Sequence, residues 1–187
     1  METLLKYLHS IYPLSEESLA YVGTILKIKQ VPKKTYLLKA GQVCRNIYFI
    51  EQGLVRCFYL KGDQEVCFWF MKEGDVIASV ESFFQQKPSY ECIQALEDCT
   101  LYYLEYKELE YIYRHYLEFN FIGRVLAQKY YMLSEQCLYS LRMQRSQERY
   151  DYLMEHFPYL ILRVPAKYLA SYLGITEVTM SRLKSRA

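Results

Sequence analysis

Between Tyr36 and Tyr106 the chain alternates short apolar runs with turn signals: YLL, NIYFIEQG, LVRCFYL, EVCFWFM, DVIASV, ECIQAL and TLYYLEY. The breaks fall at Ala40-Gly41, Gln52-Gly53, Lys61-Gly62-Asp63 and Glu73-Gly74-Asp75. Runs of about five or six residues are too short for stable helices but suit an antiparallel sandwich or barrel, where glycine supplies the positive φ of tight turns. The pattern predicts a jelly roll that closes around a cavity.

Helical periodicity flanks this segment. Leu4, Leu5, Leu8 and Tyr12 share a face, and Ser15 followed by Glu16 and Glu17 reads as a capped start, so the first thirty residues read as helical. After Tyr106 a short helix is expected from Lys107 to about Tyr116, then a long one from about Asn120 to Gln144. In the long one Ile122, Leu126, Tyr130, Leu133, Cys137 and Leu141 recur at spacings of three or four and form one stripe. Such a stripe is buried either on the chain's own sheet or as a seam between two copies, and its repeat favours a dimer helix. A further helix runs from Ser146 to Phe157, where Pro158 removes a ladder donor.

The fold class expected is α+β: a jelly roll flanked by helices, a long dimerisation helix and a small all-α end. The corresponding domains are 1–118, 119–145 and 146–187. A length of 187 residues accommodates this, and 52% hydrophobic with 17% aromatic residues leaves no long segment to disorder. No run approaches the roughly 18 apolar residues of a membrane helix. The start, METLLKYLHSIYPLSEE, meets charge and proline too early for a signal peptide, so a cytoplasmic protein without membrane contact is expected. Cys44, Cys57, Cys67, Cys92, Cys99 and Cys137 stand singly with no zinc spacing, which reads as core thiols and no metal.

Charge is uneven. Residues 1–139 carry 15 Lys and Arg against 17 Asp and Glu, whereas residues 140–187 carry 8 against 4. A basic end on a mildly acidic body suits contact with phosphate. That end reads as two short helices around a glycine. Val164-Pro165 opens the first, and Leu169, Tyr172 and Leu173 point inward. Gly174 makes the turn, Ile175 plugs the corner, Thr176 caps the second helix, and Met180 and Leu183 face back. Val178, Ser181, Arg182 and Ser185 are left on the outer face. A helix-turn-helix needs this layout to place one helix in the major groove.

In order and spacing, AGQVCRNIYFIEQGLVRCFY (40–59), EGDVIASVESFF (73–84) and YLASYLGITEVTMSR (168–182) together resemble the Crp/Fnr family of transcription regulators. The ITEVTMSRLK ending is similar to a short-tailed branch found in Bacteroidetes. The resemblance implies a cyclic-nucleotide-binding-like barrel, a homodimer, double-stranded DNA and RNA polymerase as partners, and a small-molecule effector.

In cyclic-AMP-binding members a Gly-Glu after the glycine-aspartate turn holds the ribose and a later Arg-Ser holds the phosphate. Those places are Ala78-Ser79 and Ser89-Tyr90 here. Without the arginine a buried phosphate loses a charged contact worth roughly 1.5 to 3 kcal/mol. Cyclic AMP is therefore not expected, and no cofactor is assigned. Ala78, Ser79, Ser89, Tyr90 and Ser134 would line a pocket for another effector, or aromatics such as Phe68 and Phe70 would fill it.

On the DNA side, members reading a GTGA-type half-site use an Arg-Glu pair and a later arginine. Here the pair is Glu177-Val178, while Arg182 matches the later arginine, whose fork suits guanine O6 and N7. The interface expected comprises Thr176, Glu177, Val178 and Ser185, with Thr179, Ser181, Lys184 and Arg186 toward phosphate. The sequence leaves no room for the β-hairpin wing that usually follows, which implies fewer backbone contacts.

His9, His115 and His156 stand alone, and no glycine-rich phosphate loop or nucleophile elbow occurs, so no enzyme is expected. The rival is a ligand- or protein-binding module whose reduced helix-turn-helix does not hold DNA by itself.

Overall fold

The computed structural model describes residues 2–185. Helices α1 (Glu2–Ile11) and α2 (Glu16–Ile25) precede strands β1 (Lys27–Val31), β2 (Tyr36–Leu38), β3 (Asn46–Gln52), β4 (Val55–Lys61), β5 (Gln64–Met71) and β6 (Val76–Ile77). Helix α3 (Val80–Gln85), strands β7 (Glu91–Ala95) and β8 (Cys99–Glu105), and helices α4 (Tyr106–His115) and α5 (Leu117–Met143) follow. The chain continues through α6 (Ser146–His156), α7 (Pro158–Arg163), α8 (Ala166–Tyr172) and α9 (Glu177–Lys184).

The strands form two antiparallel sheets, ordered β1-β8-β3-β6 and β2-β7-β4-β5. Their inner faces enclose Leu38, Ile50, Val55, Cys57, Ile93 and Leu101, all nearly inaccessible. Gly53 makes the β3–β4 turn at φ 103°, and a Cβ there would stand 2.6 Å from Cys99 Sγ and 2.8 Å from the Asp98 carbonyl. Only glycine fits this turn. The jelly roll is therefore as the glycine-punctuated runs predict, and five of the six free cysteines are buried.

Three elements differ from the expectation. The run KIKQV is β1, not helix; it is an outer strand with only Val31 buried, so it lacks an apolar signature. Pro158 ends α6 and also opens α7, because its missing N–H is harmless at a first helical position. The stripe of α5 packs on the chain's own core at its N-terminal end. Ile122 is buried with Leu8, Val22, Phe49 and Phe119, and Leu126 packs on that cluster. Tyr130 accepts a hydrogen bond from the Val76 amide at 2.8 Å. Leu133, Cys137 and Leu141 line a cleft of about 60 Å³ with Trp69, Tyr152 and Tyr172. Leu126, Tyr130, Leu133 and Cys137 are half-buried and Leu141 is 45% exposed, so the stripe passes from the chain's own core at Ile122 to the surface at Leu141. Other exposed apolar residues of α5 are Tyr131, Met132, Leu138, Tyr139 and Met143.

Helices α6–α9 do not stand apart from the barrel. Leu169, Leu173, Met180 and Leu183 share one core with Tyr150, Leu153 and Leu160 and with Leu54, Phe58 and Phe70 of the sheet.

Candidate nucleic-acid interface

The corner between α8 and α9 follows from its sequence. Gly174 adopts φ 63°. Its amide donates to the Ser171 carbonyl at 3.1 Å, and the Ile175 amide donates to that of Ala170 at 3.0 Å. This pair of bonds is a Schellman motif, which satisfies the last carbonyls of α8 and turns the chain. Thr176 then caps α9, its hydroxyl accepting from the Thr179 amide at 3.1 Å. Met180 and Leu183 are buried at 0% and 6% exposure, which orients the rest of α9.

Glu177, Val178, Ser181, Arg182, Lys184 and Ser185 are consequently exposed, with Val178 at 61%. Thr176 is exposed and Thr179 half-buried; their hydroxyls bond to each other at 2.9 Å. Ser185 donates to the Arg182 carbonyl at 3.0 Å, closing the helix end. Arg186 lies outside the described residues. Among the described residues the outer face thus carries two cations, Arg182 and Lys184, with small hydroxyls beside them and one acid at the N-terminal end.

The pocket candidates are only partly brought together. Ser79 and Ser89 are buried, and their hydroxyls lie 2.9 Å apart. Ala78 is half-buried against the barrel core. Tyr90 is 58% exposed and its ring sits 5.7 Å from that of Tyr59. Ser134 does not join this group; it is exposed on α5 and donates to the Tyr130 carbonyl at 2.9 Å. Phe68 stacks on Tyr59 at 4.2 Å and packs against the barrel core. Phe70 faces the other way, edge-on to Tyr172 at 5.3 Å, so it fills no barrel pocket.

The sequence reading missed Glu91, the next residue after Ser89-Tyr90. Burial pushes its carboxyl up, a Ser79 hydrogen bond opposes this, and the neighbouring Glu81 adds to the rise. A cyclic nucleotide needs a cation for its phosphate. This site offers a serine pair and a partly buried carboxyl, so the residues present do not fit the phosphate.

Also missed were the residues joining barrel and C-terminal helices. Arg56 is 1% exposed; its guanidinium lies 4.0 Å from the Phe58 ring and 3.8 Å from that of Tyr168. Arg163 donates to both carboxylates of Glu73 and Glu97 at 2.6 to 2.9 Å. Only its position at the end of α7 could have singled it out.

The chain is thus a jelly roll that feeds a long helix and carries two short helices in helix-turn-helix arrangement on its sheet. Residues 28–116 match the Cyclic nucleotide-binding domain family. FixK2 from Bradyrhizobium japonicum shares the fold with a TM-score of 0.74 at 18% identity, over 87% of this chain and 84% of that one. A CooA mutant from Carboxydothermus hydrogenoformans gives 0.71 at 19%, over 96% and 83%. A regulator assigned to the crp/fnr family from Eubacterium rectale gives 0.74 at 14%, over 95% and 87%. At such identities the likeness is one of fold. No curated protein matches the sequence. The chain carries a cyclic nucleotide-binding domain within the fold of Crp/Fnr transcription regulators, as the motif resemblance implies.

Proposed function

We propose that this protein is a homodimeric DNA-binding transcription regulator whose barrel responds to a signal other than cyclic AMP. The observation that carries the reading is α9, where Met180 and Leu183 are buried and Arg182, Lys184 and Ser181 face solvent. A helix held by one face and basic on the other suits the major groove. The structural neighbours are regulators rather than enzymes, which supports a non-catalytic role. Among the described residues no helix is long and apolar enough to cross a membrane, and no acid, histidine or cysteine group could hold a metal.

The second copy of the chain would meet the exposed apolar face of α5, with DNA and RNA polymerase as the other partners and the cytoplasm as the compartment. Val178 supports the rival reading, because an apolar side chain at the centre of the outer face also suits a protein partner.

Selection of bound duplexes from a random pool, with purified full-length protein, tests the function. The expected product is a palindrome with half-sites about one helical turn apart, bound less tightly as salt rises. A pool that stays random at low salt rejects the regulator reading in favour of the rival.

A further inference from the structure

Strand β5 is the outer strand of its sheet, so half of its main-chain groups lack a strand partner. At Glu65 and Cys67 these groups face α8. The Ser171 hydroxyl donates to the Glu65 carbonyl at 2.9 Å and accepts from the Cys67 amide at 2.9 Å. A neighbouring strand would bond a carbonyl and an amide two residues apart in this manner, and here one serine side chain replaces it. Two arginines add further contacts between the barrel and the C-terminal helices. Arg163 reaches from α7 to Glu73 and Glu97 of the barrel. Arg56 reaches from β4 to the Tyr168 ring of α8 while Nη1 donates to Glu65 at 2.7 Å.

We propose that Ser171 and Arg163 are positioning residues that latch the helix-turn-helix to the free edge of β5, so that the barrel, and not α5 alone, fixes where α9 stands. The joint between α5 and α6 is only Gln144 and Arg145, so the placement of α6–α9 depends on their contacts with the rest of the chain, the shared apolar core and the bonds to β5 among them. The latch adds a directional, hydrogen-bonded constraint to the apolar packing. It also gives the barrel a direct line to α9. Strand β5 carries Phe68 and Trp69 against the barrel core and Cys67 and Phe70 against the C-terminal helices. A rearrangement around Phe68 therefore moves the strand to which Ser171 is bonded. This consequence rests on reading α9 as the DNA-contacting helix; the latch itself does not.

The test uses the full chain with spin labels carried by unnatural residues at Lys29 on β1 and Glu155 on α6, both exposed. With labelled chains diluted into excess unlabelled chains, so that only distances within one protomer are read, the otherwise unsubstituted protein should give one narrow distance. The double variant Arg163→Ala, Ser171→Ala should give a broad distribution, and Ser171→Thr, which keeps the hydroxyl, should retain the narrow one. In Ser171→Ala the Cys67 amide should exchange with solvent about tenfold faster, since it loses its acceptor. A narrow distance that persists in the double variant overturns the latch, whatever DNA does. Should the double variant not fold, the same distance in Ser171→Ala alone decides: broadening supports the latch and an unchanged width rejects it. A parent protein that selects no duplex, yet shows the narrow-to-broad change, refutes the DNA reading and leaves the latch standing.

Discussion

Arg149 Nε, in the first turns of α6, donates to the main-chain carbonyl of Leu173 at 2.8 Å, at the end of α8. Its Nη1 donates at 2.6 Å to the carbonyl of Gln144, which ends α5. One guanidinium thus ties together the two helix ends that border the α5–α6 joint and the α8–α9 corner. Cations favour helix C-termini, and this one is half-buried. Arg149→Ala should cost about 1.5 to 3 kcal/mol, because a charged hydrogen bond is lost and two carbonyls are left without it. Urea unfolding measures this. Arg149→Lys should recover only part, since an ammonium cannot reproduce the fork.

The Arg163 guanidinium beside Glu73 holds its carboxyl down at about 2, from an ordinary 4.5, aided by the Gly53 amide. A carboxylate with a depressed value stabilises the fold above its unfolded value and loses that contribution as pH falls through its folded one. The window is thus from pH 4.5 down to about 2. Glu73 is 40% exposed, so screening limits the effect to on the order of 1 kcal/mol. Glu73→Gln should flatten the acid limb of a stability-versus-pH curve in this window, and added salt should shrink the difference. An unchanged acid limb shows that the Arg163–Glu73 pair contributes nothing to stability.

The barrel was legible because its strands are half-buried and its turns need glycine, so burial and backbone strain both left marks in the sequence. The corner at Gly174 and the cap at Thr176 were legible for the same reason. Strand β1 was not, because its charged residues face water and only its pairing with β8 makes it a strand. The direction of the α5 stripe was equally hidden, since a 3.6-residue period reports that a face is buried and not what covers it. Ser171 and Arg163 act through residues between 66 and 106 positions away, and no local pattern encodes such a pairing. Glu91 carries no signal either, because only the fold turns it toward Ser79.

Exposure along α5 sets which substitutions should break a dimer. Met132 and Tyr139 are 58% and 62% exposed on α5, seven residues apart and on one face. Met132→Glu or Tyr139→Glu should weaken self-association by about 1 to 3 kcal/mol, the cost of burying an unpaired polar group, with little loss of fold stability. Leu133→Glu should do the opposite, destabilising the monomer, because Leu133 lines the internal cleft beside Trp69. Sedimentation across a concentration series, paired with thermal unfolding, separates the two. Dissociation by Leu133→Glu alone, with the outer variants still paired, would return the seam to the stripe.

Arg182 and Lys184 are both exposed on α9, two positions apart, and so point in different directions from the helix axis. If Arg182 meets a guanine edge with both arms, its loss removes a contact that only one base provides. Arg182→Ala should therefore cost about 1 to 3 kcal/mol against the preferred duplex and relax base choice at a single position. Lys184 has no fork and suits phosphate, so Lys184→Ala should weaken all sequences alike and reduce the steepness of the salt dependence by about one counterion. Titrations of the selected duplex and of single-base variants at several salt concentrations distinguish the two behaviours. Equal loss on every duplex for both variants would place Arg182 on the backbone and leave base recognition to Glu177, Val178 and Ser181.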